Sequence, residues 1–283
     1  MAEERIPLIE TVDLKKYFKV GDKSYLHAVD GINMKVYPGE TIGVVGESGC
    51  GKSTLGRTIL RLIEPTSGQI LYNGEDITKL NARQMKRMRQ ELQIIFQDPY
   101  ASLDPRKSVI EIIAEYMIIN RTLPTKREIY NRAAHLMDVV GLARRYAAAY
   151  PHELDGGRRQ RIGIARALSV NPKFIVCDEP VSALDVSIQA QILNLLMDLQ
   201  DEMGLTYMFV THDLSVVKHI SNNIVVMYLG QCLEFATSDE LFASPVHPYT
   251  KALLSAIPEP DISMRNKEIK VIKGEVVSPV DPK

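Results

Sequence analysis

A glycine-rich segment that follows a short apolar run has the residue types needed to bind phosphate. Residues 46–54, GESGCGKST, match the pattern GxxxxGK[ST] in full. Glycines let the backbone wrap closely around a phosphate, so that N–H groups and the N-terminus of the next helix face the anion. Lys52 is expected to reach the β- and γ-phosphates, and the Ser53 hydroxyl to bind Mg²⁺. We therefore predict a nucleotide-binding loop made of Gly46, Glu47, Ser48, Gly49, Cys50, Gly51, Lys52, Ser53 and Thr54.

Two carboxylates at the end of a second apolar run supply the other half of a nucleotide hydrolase. The run at residues 174–177 is followed directly by Asp178 and Glu179. Asp178 is predicted to contact Mg²⁺, directly or through water. Glu179 is placed to orient and deprotonate the attacking water as a general base. Paired carboxylates at a strand end are common. This motif therefore indicates a nucleotide hydrolase only in combination with the phosphate loop that precedes it.

The apolar pattern indicates the strands and helices that must position these motifs. Alternating apolar residues at 31–38 and apolar runs at 41–45, 174–177, 207–210 and 224–228 predict strands. Apolar residues three or four positions apart predict helices at 53–63 and at 187–203, the second ending at Gly204, and a further helix begins near Gly156. Residues 81–149 are predicted to be mainly helical around a strand at 92–96. Strands alternating with helices indicate an α/β fold with a mostly parallel sheet.

Composition excludes several classes of protein. The 283 residues carry 34 basic and 35 acidic side chains, a net charge of -1, so a generally basic nucleic-acid binder is disfavoured. Three widely spaced cysteines form neither a disulfide framework nor a metal-binding CxxC pair, which suits a reducing compartment. No apolar run approaches the length of a membrane span, and the N-terminus shows no signal peptide. Any role at a membrane is therefore expected to act through a partner.

Further motifs, in register with the first two, resemble those of the ATP-binding subunits of ATP-binding-cassette (ABC) transporters. Gln97 resembles the Q-loop glutamine, which contacts the metal and links to the transmembrane partner, and His212 resembles the switch histidine at the γ-phosphate. Phe18, in preference to Tyr17, aligns with the aromatic residue that stacks on adenine. The signature and the D-loop are matched by Asp155, Gly156, Gly157 and Asp185.

The resemblance implies a P-loop NTPase of the ABC type, with a mixed, mostly parallel sheet, an antiparallel β subdomain and a helical subdomain. It implies a nucleotide-binding domain over residues 1–257, with the helical subdomain at about 98–170, and a C-terminal extension at 258–283. ATP and Mg²⁺ are the implied ligands, with Ser53, Gln97 and Asp178 at the metal and Lys52, Glu179 and His212 in catalysis. The implied reaction is ATP hydrolysis coupled to transport.

Partners and location follow from the same resemblance. We expect a second ABC ATPase subunit, as a heterodimer, together with permease subunits, and neither a nucleic-acid partner nor direct membrane insertion. The chain would lie in the cytoplasm, peripherally on the inner face of the cell membrane. Two other interpretations stay open: a soluble ABC ATPase acting on nucleic acid or ribosomes, and a nucleotide-binding regulator without turnover. The absence of a heptad run between Lys52 and Asp178 disfavours the first, and the presence of Glu179 and His212 disfavours the second.

The signature departs from the usual LSGGQ, because Asp155 replaces the serine and Arg158 the glutamine. Asp is a good N-cap, so the helix should tolerate the change. In the family this segment binds the γ-phosphate held by the opposite subunit, and a carboxylate about 4 Å from a phosphate charge would oppose binding by about 4 kcal/mol. Arg158, on the same turn, could offset part of this repulsion. The hypothesis is a weakened site on one side of an unequal pair.

The C-terminal part of the chain resembles a narrower group. Residues 240–258, ELFASPVHPYTKALLSAIP, look like the extension in ATPases of oligopeptide, dipeptide and nickel importers. Many relatives continue with a cysteine-containing tail that can hold an iron–sulfur cluster. The chain ends at Lys283, where that tail would begin, so the expectation is either a truncated chain or no such tail. A generic amphipathic helix is the alternative interpretation of this segment.

Overall fold

The computed structural model describes residues 5–256, 278, 280 and 281. It divides into two compact units, one drawn from residues 1–80 and 208–283 and the other from residues 81–207. We call them the first and second unit. Most of the predicted extension at 258–283 lies outside the described residues, although Val280 forms an isolated antiparallel bridge with Leu26.

The elements follow one another with short connections. The strands are β1 (Ile9–Lys19), β2 (Tyr25–Val36), β3 (Thr41–Val45), β4 (Ser67–Tyr72), β5 (Glu75–Asp76), β6 (Leu92–Ile95), β7 (Phe174–Asp178), β8 (Thr206–Val210), β9 (Asn223–Tyr228) and β10 (Gln231–Thr237). The α-helices are α1 (Lys52–Ile59), α2 (Ala82–Glu91), α3 (Val109–Asn120), α4 (Lys126–Val139), α5 (Gly156–Leu168), α6 (Val186–Met203), α7 (Leu214–Ile220), α8 (Ser238–Ala243) and α9 (Pro248–Ser255). Short 3₁₀ turns lie at Ile77–Lys79, Arg144–Tyr146 and Pro151–Glu153.

The first unit combines an antiparallel sheet with the strand that leads into the phosphate loop. The antiparallel sheet has the order β2-β1-β4-β5. Separately, β3 pairs in parallel with β9, and β9 pairs antiparallel with β10. All five residues of β3 are buried, as its continuous apolar sequence requires of a strand covered on both faces. The antiparallel β subdomain implied by the resemblance is therefore present.

The second unit is mainly helical around two parallel strands. β6 and β7 pair in parallel, with Leu92 opposite Phe174 and Ile95 opposite Cys177. The apolar stripe of α6 is buried, and the helix ends at Gly204 in the left-handed conformation, as its sequence predicts. Together with the parallel pair in the first unit, these elements confirm an α/β fold with mostly parallel strands.

One predicted helix was too long. The helix predicted at 53–63 ends at Ile59, and the reason is Arg61, whose φ is 48°. The Arg61 guanidinium donates to the carbonyls of Ile77 and Leu80, at 2.7 and 2.9 Å, and this contact with a distant segment favours the left-handed turn over another helical residue. Among the described residues, no helix is both long and apolar enough to cross a bilayer.

Candidate functional site

The phosphate loop lies between β3 and α1 and has a backbone that only glycine adopts readily. Gly46 has a φ of 149° and Gly51 a φ of 106°. A Cβ atom on Gly51 would collide with the carbonyl oxygen of Ala28, and one on Gly46 with that of Met227. Both a left-handed φ and the close approach of another backbone segment therefore require glycine here. The glycine spacing of the sequence pattern matches this backbone requirement at both positions.

Lys52 is held inside the loop. Its side chain is buried, and its Nζ donates to the carbonyls of Gly46 and Glu47, both at 2.8 Å. The N-cap of α1 is Gly51, which has no side chain to satisfy the first N–H groups of the helix. Those donors and the ammonium together suit an anion. Cys50 lies beside them, and burial raises the pKa of its thiol, so the thiol stays neutral and inert.

His212 lies in the same unit as the loop. The backbone N–H of Thr211 donates to the carbonyl of Val44 at 3.1 Å, two residues before Gly46. The turn is fixed on its other side, because the Thr211 hydroxyl accepts from the N–H of Asp213 at 3.0 Å. His212 is exposed on this turn, which fits the role of a residue that contacts a phosphate.

Two aromatic residues of β1 were candidates for stacking on adenine, and they have different surroundings. The Tyr17 hydroxyl donates to Asp30, and its ring stacks on His27 with centroids 3.8 Å apart. Burial and the bond to Asp30 raise the pKa of Tyr17 to about 12. Phe18 is half-buried, with the Lys16 ammonium 4.9 Å from its ring centroid. Because Tyr17 is already engaged on its ring and hydroxyl, Phe18 remains the predicted adenine contact.

The acidic pair stands at the end of β7. Asp178 is fully buried. Glu179 has a φ of 46°, a left-handed backbone that is unfavourable for a residue with a side chain. Gln97 donates from its Nε2 to Glu179 Oε2 at 2.8 Å. The parallel register explains this contact, since Ile95 lies opposite Cys177 and the two side chains follow two positions further on.

The link from Gln97 to Glu179 was not predicted. Its motif places Gln97 at the metal and at the transmembrane partner, whereas the described structure pairs it with the predicted general base. The strand register could have indicated this contact. Ile95 and Cys177 lie opposite each other, and Gln97 and Glu179 each follow two positions later. Such an amide can orient the carboxylate that must accept a proton from water.

The signature begins α5 and is capped by its own side chains. The Asp155 carboxylate accepts the backbone N–H of Arg158 at 2.8 Å, which confirms the predicted N-cap. The same carboxylate forms an ion pair with the Arg158 guanidinium. Gly156 and Gly157 pack closely, because a Cβ on them would lie 3.1 Å from Leu184 Cδ2 and 2.7 Å from Ile188 Cγ2.

The D-loop residue Asp185 also caps a helix. Its carboxylate accepts the N–H of Ile188 at 3.1 Å at the start of α6. Leu184 and Ile188, the residues that a Cβ on Gly156 or Gly157 would meet, lie on either side of Asp185 in the sequence. The signature and the D-loop, both predicted from short motifs, lie against each other in the second unit.

A pocket of about 330 Å³ lies beside the signature in the second unit. Its lining includes Asp155 and Arg158, together with Arg145, Tyr146 and Arg161. The guanidinium carbons of Arg145 and Arg158 lie 5.1 and 5.0 Å from the Tyr146 ring centroid. The face of the signature is thus rich in cations, with one carboxylate among them.

The residues predicted for the metal have suitable donor atoms. Ser53 supplies a hydroxyl, Asp178 a carboxylate and Gln97 an amide oxygen, and Mg²⁺ prefers oxygen ligands. Mg²⁺ usually binds one or two such side chains together with substrate phosphates and waters. The chemistry of this set fits the ion, and its assignment remains a prediction.

The sequence matches two protein families. Residues 29–182 match the family described as ABC transporter. Residues 233–283 match the family described as oligopeptide/dipeptide transporter, C-terminal region.

Individual proteins match over nearly the whole chain. The oligopeptide transport ATP-binding protein OppF of Salmonella typhimurium is 49% identical over 289 residues, covering 99% of the chain and 86% of that protein. The dipeptide transport ATP-binding protein DppF of Haemophilus influenzae is 47% identical over 285 residues, covering 99% and 86%. The solved dimer of the ATP-binding cassette MJ0796 in a post-hydrolysis state, bound to ADP and Pi, superposes with a TM-score of 0.74. It is 29% identical and covers 81% of the chain and 98% of that structure.

Proposed function

Because the chain belongs to the ATP-binding subunits of ABC transporters, we propose that it hydrolyses MgATP to power an importer of oligopeptides or dipeptides. The named relatives transport oligopeptides and dipeptides, and the C-terminal match is to a region described for the same transporters. The cargo class is carried over from these relatives. Family membership and the hydrolytic residues support the ATPase activity itself.

The observation that carries the proposal is the buried Lys52. An ammonium that is 4% exposed and bonded to loop carbonyls and a nearby thiol is stable there because the loop supplies acceptors at 2.8 Å. A triphosphate oxygen is a stronger acceptor than the Cys50 thiol at 3.9 Å, so it can take that position while the Gly46 carbonyl keeps holding the ammonium. The glycine backbone and the N-terminus of α1 provide further donors. A loop built this way suits the phosphates of a nucleotide.

Residues at the end of β7, in the second unit, would activate the attacking water. Glu179 orients and deprotonates water, and Gln97 holds its carboxylate at 2.8 Å. Ser53 and Asp178 would hold Mg²⁺, which neutralises charge on the phosphates when bound. His212 would contact the γ-phosphate from its exposed turn. Phe18 would stack on adenine.

We further propose that the chain works beside a second ABC ATPase and against permease subunits, on the cytoplasmic face of the membrane. The solved MJ0796 cassette is a dimer, which supports pairing of two cassettes. The altered signature, Asp155 and Arg158, favours an unequal pair over two identical copies. Asp185 and Gly156 would then face the nucleotide bound by the partner subunit.

The decisive experiment measures ATP turnover and peptide uptake in proteoliposomes that hold the full chain, its partner ATPase and the permeases. Glu179→Gln is expected to lower kcat by about 10²- to 10⁴-fold while ATP still binds, because it removes the proton acceptor. Glu202→Gln, an exposed carboxylate of α6, is the matched control and should turn over normally. Normal turnover by Glu179→Gln would remove Glu179 as the base. A wild-type chain with no affinity for MgATP would overturn the proposal.

A further inference from the structure

A tyrosine from the C-terminal region bonds directly to the phosphate loop. Tyr249, the second residue of α9, accepts the backbone N–H of Glu47 on its hydroxyl at 3.1 Å. Both residues belong to the first unit, although 202 positions separate them. Glu47 lies in the segment that matches the ABC transporter family, and Tyr249 in the segment that matches the transporter C-terminal region. The bond therefore joins the two matched segments at the nucleotide loop.

The peptide that Tyr249 contacts also holds Lys52. The N–H of Glu47 and the carbonyl of Gly46 belong to one planar peptide unit and point in opposite directions. Tyr249 accepts from the N–H edge, while Lys52 donates its Nζ to the carbonyl edge at 2.8 Å. The two side chains thus fix the rotation of the same peptide from both sides. Hydrogen bonds in such a chain polarise one another.

Tyr249 is itself held in place by two neighbouring groups. The Glu234 carboxylate accepts the N–H groups of Val246 and His247, at 2.8 and 3.0 Å, and so fixes the turn that precedes α9. His247 Nδ1 then accepts the N–H of Tyr249 at 3.1 Å as the N-cap of the helix.

The ring and hydroxyl of Tyr249 are buried. The residue is 7% exposed, and its ring packs against Tyr228 with centroids 4.8 Å apart. Burial raises the pKa of Tyr249 to about 12, so the hydroxyl is neutral at physiological pH. A rigid, neutral hydroxyl is suited to a fixed structural bond and contributes no charge to the loop.

We infer that Tyr249 is a positioning residue for ATP binding: it sets the Gly46–Glu47 peptide and, through it, the Lys52 ammonium. The inference rests on the proposed function, and it assigns to the C-terminal region a direct part in forming the nucleotide site. Glu234 and His247 support that part by fixing the start of α9. Loss of the hydroxyl leaves the peptide free to rotate, so that Lys52 must be ordered when the nucleotide binds.

The test compares two single-hydroxyl deletions in the full-length chain. Tyr249→Phe keeps the ring against Tyr228 and removes only the hydroxyl. Its Kd for MgATP is expected to rise about three- to tenfold, the effect of one hydrogen bond, with a smaller change in kcat in the complete transporter. Tyr228→Phe is the control, since its hydroxyl makes no hydrogen bond within the described part of the chain.

Hydrogen exchange separates positioning from general packing. In Tyr249→Phe the Glu47 amide should lose protection, while the Lys251 amide, which donates to His247 at 3.1 Å inside α9, keeps it. Equal protection and equal Kd in Tyr249→Phe and the wild type would overturn the inference. So would loss of protection throughout α9, or an equal rise in Kd for Tyr228→Phe. A wild-type chain that does not bind ATP would instead refute the proposed function, and exchange at Glu47 would still report on the hydrogen bond.

Discussion

Two helices of this chain begin directly after glycine-containing motifs, and their N-termini are completed in opposite ways. At α1 the N-cap is Gly51, with a φ of 106° and no side chain to accept the first N–H groups. At α5 the N-cap is Asp155, whose carboxylate accepts the N–H of Arg158 and pairs with its guanidinium. One N-terminus has no side-chain cap, and the other is capped by its own carboxylate.

The cations of the two motifs also have different surroundings. Lys52 is 4% exposed and is bonded to backbone carbonyls, so its charge is available to an incoming anion. Arg158 has a side chain 43% exposed, and its charge is opposed by a neighbouring carboxylate that is itself 56% exposed. A helix N-terminus attracts anions, and a carboxylate close to it weakens that attraction. The phosphate loop should therefore bind nucleotide strongly, and the signature should contribute a weaker contact.

The largest expected effect comes from removing the buried cation of the phosphate loop. Lys52→Ala should lower ATP turnover by at least about 10²-fold, because the ammonium stabilises charge on the phosphates. Turnover and nucleotide affinity of the assembled complex measure it. Lys79→Ala, which removes an ammonium 78% exposed beside Asp76, is the control and should behave like the wild type. Wild-type turnover in Lys52→Ala would contradict the stronger role in nucleotide binding that we assign to the N-terminus of α1.

Glycine substitutions should separate the motifs by stability. Gly51→Ala forces a side chain into a left-handed backbone and against the Ala28 carbonyl, and we expect a loss of about 3 kcal/mol or more in the free energy of unfolding. Gly157→Ala has ordinary helical geometry, and the closest atom to the new Cβ belongs to a side chain, the methyl group Ile188 Cγ2 at 2.7 Å. Its loss should be smaller, about 1–2 kcal/mol. Denaturant unfolding of the full-length chain gives both values.

A second substitution tests the cause in each case. Ile188→Leu removes the branch methyl that meets the new Cβ, so Gly157→Ala combined with Ile188→Leu should recover much of the lost stability. No side-chain change can relieve Gly51→Ala, because the obstructing atom belongs to the backbone. If Gly157→Ala proved the more damaging of the two, the packing explanation for the signature glycines would be wrong.

The sequence was most informative where a local rule is strict. The glycines at 46 and 51, the buried strands at 41–45 and 174–178 and the capped end of α6 at Gly204 all follow from backbone geometry or local periodicity. The Asp155 cap was also predictable, since a short carboxylate before a helix has few better partners than the N–H three residues ahead. These features depend on neighbours within a few positions.

Features that depend on distant partners could not be predicted in the same way. The early end of α1 depends on Arg61 reaching the carbonyls of Ile77 and Leu80. The bond between Gln97 and Glu179 requires the register of two strands and joins residues 82 positions apart. No single segment encodes such a contact, because it arises only after the strands have paired. The sequence therefore predicts which residues form the candidate site, while their bonds to one another depend on the folded chain.

The smallest predicted effect concerns the charge pair of the signature, and it tests whether that N-terminus is weakened by Asp155 or merely balanced by Arg158. Asp155→Ser keeps an N-cap and removes the carboxylate. Because that carboxylate is 56% exposed and paired with Arg158, most of the repulsion of about 4 kcal/mol expected from the sequence is screened. Nucleotide-dependent closure of the complex should therefore strengthen by about two- to fivefold only. Arg158→Gln leaves the carboxylate without its partner and should weaken closure by a similar factor.

The double variant makes the comparison quantitative. If Arg158 acts only by neutralising the carboxylate, Asp155→Ser combined with Arg158→Gln should match Asp155→Ser alone, whereas a guanidinium that also attracts the phosphate would make the double variant close less readily than Asp155→Ser. The closure midpoint against MgATP concentration, at low and high salt, measures each form, and added salt should shrink every difference. Unchanged closure in both single variants would mean that the signature attracts phosphate as well as a normal one does. The contrast with the phosphate loop would then lie only in Lys52 and the loop backbone.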